Sequence, residues 1–201
     1  MVKNLARDNL DDRGKLSRDV AQQSYKKDRT NIGSYEYLPN YSNDNTAVYK
    51  DSKTKNIKIG MRGSTTKGDW VRNTLIGVGA EGYDKDFKAD SKLYDKLKND
   101  FSDSKISTSG HSRGGKRARN LSFKKNIEGS SFNEASSPYS ITQAYQNNYC
   151  KTSSCASFVS HRTKNDVVSG ANKDVYGKKN NYDSVKGNED KIGSHSMINF
   201  Y

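Results

Sequence analysis

Apolar residues are spread thinly along this chain, and their spacing changes character several times. In LSRDVAQQSYKKD, apolar or aromatic side chains recur at Leu16, Val20 and Tyr25, the weak face of a helix. GSYEYLPNYSNDN, with Pro39 and an Asn/Asp cluster, reads as a loop. TAVYK and NIKIGMRG follow as two short β-rich runs separated by DSKTK, which predicts a hairpin. Glycines then punctuate residues 68–82, around DWVRNTLIGVGAEG. Phe87, Tyr94 and Leu97 fall at helical spacing over 87–99. KISTS predicts a strand, followed by a glycine-serine turn and a helix running to about Lys125. SSFNEASSPYS and ASFVSHRTKNDVVS are later strand candidates, and residues 170–194 read as polar loop. No repeat or low-complexity linker interrupts the chain. Residues 1–201 therefore read as a single domain, with 1–45 a polar helix-and-loop extension before a core over 46–201.

Composition makes that core thin. Leu, Ile, Val and Phe together are 33 of 201 residues, about 16%, under the ~20% that signals disorder in a highly charged chain. The apolar residues nonetheless gather in short strand-like runs, and 13 tyrosines can bury broad faces while their hydroxyls find partners. A folded domain is therefore expected. The net charge of +12 favours anionic partners. No basic block stands apart from the rest, which argues against nucleic acid and leaves peripheral contact with an anionic membrane surface as the expectation.

Cys150 and Cys155 are the two cysteines; alone they cannot complete a four-ligand zinc site. MVKNLARDNLDD holds no apolar stretch, so no secretory signal is read. Nothing approaches the ~18 consecutive apolar residues of a membrane-spanning helix. The expectation is a cytoplasmic or particle-packaged protein with free thiols.

The densest chemistry is in ISTSGHSRGGKRARNLSF, where GHSRG matches G-x-S-x-G between a predicted strand and a predicted helix. Glycines permit the tight turn that presents Ser112 at the helix N-terminus, where backbone N–H groups can stabilise an oxyanion. A serine nucleophile needs a base, and the base needs an orienting acid. The chain has three histidines. His111 adjoins the serine, and its side chain should diverge from it. His161 sits inside a strand-like run, as a packing or hydrogen-bonding residue. Ser112, Asp166 and His195 occur in the chain order of α/β-hydrolase triads, with Asp166 just past a predicted strand end.

From about Thr46 to Tyr201 the chain resembles the class 3, fungal triacylglycerol-type lipases of the α/β-hydrolase superfamily. The matching stations are IGMRGSTTKGDW, with Arg62, Gly63, Ser64, Asp69 and Trp70; the elbow Gly110–Gly115; NEASSPYS with Pro138; Asn165, Asp166, Val167 and Val168; and His195 with Phe200 and Tyr201. The resemblance implies a compact α/β-hydrolase: a central, mostly parallel sheet, reduced helices and no clear lid domain. It implies Ser112 as nucleophile, Asp166 as orienting acid and His195 as general base. Ser64 and Arg113 would supply the oxyanion hole, and Asp69 and Trp70 would pin the loop carrying Ser64. The implied activity is serine ester hydrolysis, of lipase, esterase or phospholipase type, on a lipid or small ester. That chemistry requires neither metal nor cofactor.

Two departures from the family pattern bear on function. Arg113 stands where leucine is usual, and with Leu75 and Ile76 it is a candidate for the substrate mouth. The elbow helix carries Lys116, Arg117 and Arg119, which suggests a solvated face or one meeting an acidic partner. The apolar stretch NTLIGVGAEG is short for a lid, so a small-ester or lysolipid-like substrate is expected. The competing reading is a catalytically idle α/β-hydrolase scaffold acting as a structural, membrane-associated or nucleic-acid-associated basic protein. The Lys/Asn-rich, leucine-poor composition resembles proteins of AT-rich genomes, which suggests a viral source.

Overall fold

A computed structural model describes residues 4–64, 80–135, 157–170, 178–185 and 195–201. Leu75, Ile76, Asp69, Trp70, Pro138 and both cysteines lie outside them. Seven strands form one sheet in sequential order: β1 (Tyr35–Tyr37), β2 (Thr46–Asp51), β3 (Ile57–Met61), β4 (Ile106–His111), β5 (Gly129–Phe132), β6 (Phe158–Thr163) and β7 (Lys178–Tyr182). β1, β2 and β3 pair antiparallel, the expected hairpin among them, and β3 through β7 pair parallel. The expected mostly parallel sheet is present. β7 falls in the stretch read as loop. Its sequence KKNNY has no apolar alternation because four of its five side chains are exposed or half-buried; backbone pairing to β6 defines it, and Leu5 bridges to Asp183 just past its end.

Parallel neighbours in sequential order carry their crossover helices on one face, because such crossovers are right-handed. The helices here are α1 (Ala6–Asn9), α2 (Asp12–Gln23), α3 (Ala80–Asp100), α4 (Arg113–Lys125) and α5 (Val167–Gly170). Leu97 of α3 and Ala118 and Leu121 of α4 pack with Ile57, Ile59, Met61 and Ile106 in one core cluster. The other face needs a separate cover, and α2 provides it. Val20 clusters with Ala47 and Tyr49, and a Cβ on Gly60 would come within 2.5 Å of the Val20 carbonyl oxygen. Asp11 caps α2, accepting from the Gly14 N–H at 2.7 Å.

The N-terminal stretch also holds the C-terminus. Ala6, Leu10 and Ala21 cluster with Phe132, Tyr182, Met197 and Phe200. The Arg18 Nη1 donates to the Phe200 carbonyl at 3.0 Å. His195 therefore opens a segment that is packed against α1 and α2.

Hydroxyl and ionic contacts fill space that aliphatic side chains usually occupy. Thr108 Oγ1 contacts the Ala118 carbonyl at 3.0 Å and the Ser122 hydroxyl at 2.6 Å, between β4 and α4. Ser109 donates to the Ser17 carbonyl of α2. Two cations of α4 point inward. Arg117 makes two contacts with Asp90 of α3, at 2.9 and 2.6 Å, and reaches Thr46 Oγ1 at 3.1 Å. Arg119 is seated on Glu134 at 2.9 and 3.0 Å, with Ser160 beside it. Arg117, Asp90, Arg119 and Glu134 are all buried. This corrects the expectation of a solvated helix face or an external acidic partner for these two arginines: their acids are in the same chain. Among the described residues, no helix is long and apolar enough to cross a membrane.

Candidate active site

Strand β4 ends at His111, and the next residue, Ser112, turns the chain into α4 with φ 55° and ψ −127°. Few side chains tolerate that conformation, and its cost is of order 1–3 kcal/mol. The neighbouring glycines are required by close packing. A Cβ on Gly114 would lie 2.0 Å from the Met61 carbonyl oxygen, and one on Gly110 would lie 2.2 Å from that of Gly114. The turn is clamped to β5: Ser112 N–H donates to the Phe132 carbonyl at 3.1 Å, and Ala135 N–H donates to the Ser112 carbonyl at 2.9 Å.

Three side chains from distant parts of the sequence meet at this turn. His195 Nε2 is 2.9 Å from Ser112 Oγ, and His195 Nδ1 is 3.0 Å from Asp166 Oδ1. Ser112 is buried, as are Asp166 and His195. Asp166 follows β6, and its carboxylate accepts from the N–H groups of Val168 at 3.0 Å and Ser169 at 3.2 Å. Burial pushes the Asp166 carboxyl up, but hydrogen bonds and charge from His195, with those of Ser169 and Val168, outweigh it. The net shift is downward, and Asp166 is a carboxylate at neutral pH. An Nδ1–H donated to that carboxylate leaves His195 Nε2 to accept the Ser112 hydroxyl proton.

The Arg62–Gly63–Ser64 turn follows β3 beside this group. A Cβ on Gly63 would be 3.0 Å from the Ser112 Cβ and 2.8 Å from the His111 carbonyl oxygen. Ser64 is half-buried one residue farther on, and Arg113 begins α4 immediately after Ser112.

A second chain of hydrogen bonds runs behind the first, and pattern reading missed it. Tyr25, beyond the end of α2, accepts from Gly63 N–H at 3.0 Å and lies 2.8 Å from His111 Nδ1. His111 Nε2 is 2.9 Å from the His195 carbonyl oxygen. A carbonyl only accepts, so Nε2 carries the proton. In a neutral ring Nδ1 then accepts the Tyr25 hydroxyl hydrogen. Burial, and then the proximity of His195, lowers the His111 pKa to about 3, which keeps the ring neutral. Burial also raises the Tyr25 phenol well above its usual range. The His111 ring diverges from Ser112, as expected, but it lands on the backbone of His195. In the sequence, Tyr25 read only as part of an apolar helix face. The signal that could have found it, a pairing with a turn 38 residues away, is not a local one.

His161 is buried, stacked on Phe132 with ring centroids 4.9 Å apart, and 3.1 Å from the Tyr182 hydroxyl. That is the packing and hydrogen-bonding role expected of it. Among the described residues, no group of three His, Cys, Asp or Glu side chains could hold a metal ion.

No family model matches the chain, and no curated protein matches it. Solved structures do. The Lip2 lipase from Yarrowia lipolytica is similar over 92% of this chain and 91% of its own, with a TM-score of 0.58 and 12% identity. A triacylglycerol lipase from Penicillium expansum is similar over 90% of this chain and 88% of its own, with a TM-score of 0.55 and 15% identity. At such identities the likeness establishes the fold, an α/β-hydrolase fold resembling that of lipases.

Proposed function

We propose that the chain is a serine ester hydrolase of the lipase or esterase type, working through an acyl-enzyme. The observation that carries this reading is the continuous line of hydrogen bonds from Ser112 Oγ through both nitrogens of His195 to Asp166, at 2.9 and 3.0 Å. In the proposed reaction Ser112 attacks the ester carbonyl as His195 takes its proton. Asp166 holds the imidazole in the required tautomer and balances its positive charge. The backbone N–H groups of Arg113 and Ser64 are the proposed donors to the oxyanion. His195 then protonates the departing alcohol, and water, activated by the same imidazole, releases the acid from Ser112.

Lipid or small esters are the proposed substrates, in keeping with the lipase names of the two similar structures. A half-buried Arg113 at the start of α4 adds a cation beside the proposed oxyanion site and favours substrates carrying a carboxylate or phosphate near the ester. The test is labelling with a fluorophosphonate probe, alongside hydrolysis of p-nitrophenyl esters. Parent protein should label on Ser112 and turn over the ester; Ser112→Ala and His195→Ala should do neither. A correctly folded parent that resists the probe would leave an idle scaffold, and labelling that persists in Ser112→Ala would assign the nucleophile elsewhere.

A further inference from the structure

The end of the sheet remote from Ser112 holds a concave site. A cavity of about 790 Å³ lies where β3 and β4 begin, within the ~300–1,000 Å³ range of small-molecule sites. Its walls combine Leu16, Ile106 and Ile127 with Lys58, Lys98 and Lys105. Lys58 stands within β3, opposite Tyr49 of β2 and Ser107 of β4. It is only 5% exposed, and lysine is almost never so buried unless paired.

Among the described residues, no carboxylate lies within ion-pair distance of the Lys58 ammonium, and no oxygen accepts a hydrogen bond from it. Glu128 lines the same cavity, but it is held by Arg13 at 3.0 Å. Asp12, also on the wall, turns to Lys15 at 3.7 Å. Burial, and next the charge of Arg13, lowers the Lys58 pKa to about 8, so the ammonium persists at neutral pH. The stem of Lys58 is buried while its unpaired ammonium opens onto the cavity; a methionine of similar length would keep the packing of the stem without the charge. The wall is cationic as a whole, with Arg13, Lys58, Lys98 and Lys105 against Asp12 and Glu128.

We propose that this cavity binds an anionic amphiphile, whose carboxylate or phosphate head is taken by Lys58 and whose apolar body lies along Leu16 and Tyr35, on the α2 face of the sheet. The site is separate from the hydrolytic centre. Lys58 pairs with Ser107, and Ser112, just past the far end of that strand, lies roughly 16 Å away at ~3.3 Å per residue.

Calorimetric titration and thermal shift on the full chain test this with four probes: octanoate, octyl phosphate, inorganic phosphate and octyltrimethylammonium. The first two should bind and raise Tm, and the last two should bind at least tenfold more weakly. Lys58→Met should match or exceed the parent Tm, weaken octanoate at least tenfold and leave fluorophosphonate labelling of Ser112 unchanged. Unaltered octanoate affinity in Lys58→Met overturns the proposal, as does equal affinity for the cationic probe. Inorganic phosphate binding as tightly as octyl phosphate overturns the amphiphile assignment. Should Lys58→Met fail to fold, the parent decides by trinitrobenzenesulfonate modification mapped by mass spectrometry. Octanoate should slow modification of Lys58 several-fold and spare the exposed lysines; no slowing at Lys58 overturns the proposal.

Discussion

Acidification should unfold this protein early, because two of its histidines are buried in the neutral form. His111 and His161 have pKa values lowered to about 3 and about 4, in each case chiefly by burial. In the unfolded chain both return to the ordinary value of about 6.5. Between those limits the unfolded state binds protons that the native state refuses, so stability falls as pH falls. At pH 5 each ring still neutral in the native state costs about 2 kcal/mol relative to pH 8, or about 4 kcal/mol together. That is a large part of the ~5–15 kcal/mol typical of a whole domain. The window is favourable for measurement. Asp166, whose pKa is lowered, contributes stability that is present above the ordinary carboxylate range and is lost only below it, so it is unaffected at pH 5. Lys58 and Lys116, both lowered to about 8 by burial, change stability with pH mainly between about 8 and the ordinary lysine value, where stability rises with pH, so little of their change falls in this window. Urea denaturation of the parent at pH 8 and pH 5 should show the loss. His161→Gln and His111→Gln, whose new side chains do not titrate, should each reduce the pH dependence by about half, whatever they do to stability at pH 8. A parent whose stability is level across the window would refute the reasoning, as would variants with the full parental slope.

Other perturbations probe the remaining contacts. Tyr25→Phe leaves Gly63 N–H and His111 Nδ1 without partners, and unmade buried hydrogen bonds cost about 1–3 kcal/mol each. We expect a lower Tm and a roughly tenfold fall in kcat, read by ester hydrolysis, with KM little changed. Glu134→Gln removes the charge that holds Arg119 and that faces Arg162 at 3.9 Å, and should destabilise by about 3–5 kcal/mol in urea denaturation, the range for a broken buried pair. Arg113→Leu should move preference from esters with an anionic group to neutral ones, seen as a change in the ratio of kcat/KM values. Equal ratios in parent and variant would remove the role proposed for that guanidinium.

The likeness to fungal lipases and the proposed chemistry stand on different observations. At 12% and 15% identity the similar structures speak for the architecture. The hydrolytic reading stands on side chains of this chain alone. Its thin aliphatic core is consistent with both, because hydroxyls and internal ion pairs join strands to helices where larger apolar residues would otherwise pack.

Local rules were enough for several elements. The hairpin of β2 and β3, the strand and helix flanking Ser112, the helix over 87–99 and the position of Asp166 after β6 all depend on periodicity, glycine spacing or turn residues within a few positions. Candidate site residues were legible for the same reason: a nucleophile at a tight turn must be flanked by small residues, and few histidines were available. What the sequence did not reveal depends on distance through space. Whether a cation on α4 faces water or Asp90, whether Tyr25 is a packing residue or a link between the Gly63 turn and His111, and whether KKNNY is a loop or an edge strand are all decided by partners far along the chain. Burial reverses the meaning of each residue type: an arginine becomes a core residue once a carboxylate is beside it, and a lysine within a strand becomes a candidate site once it has none.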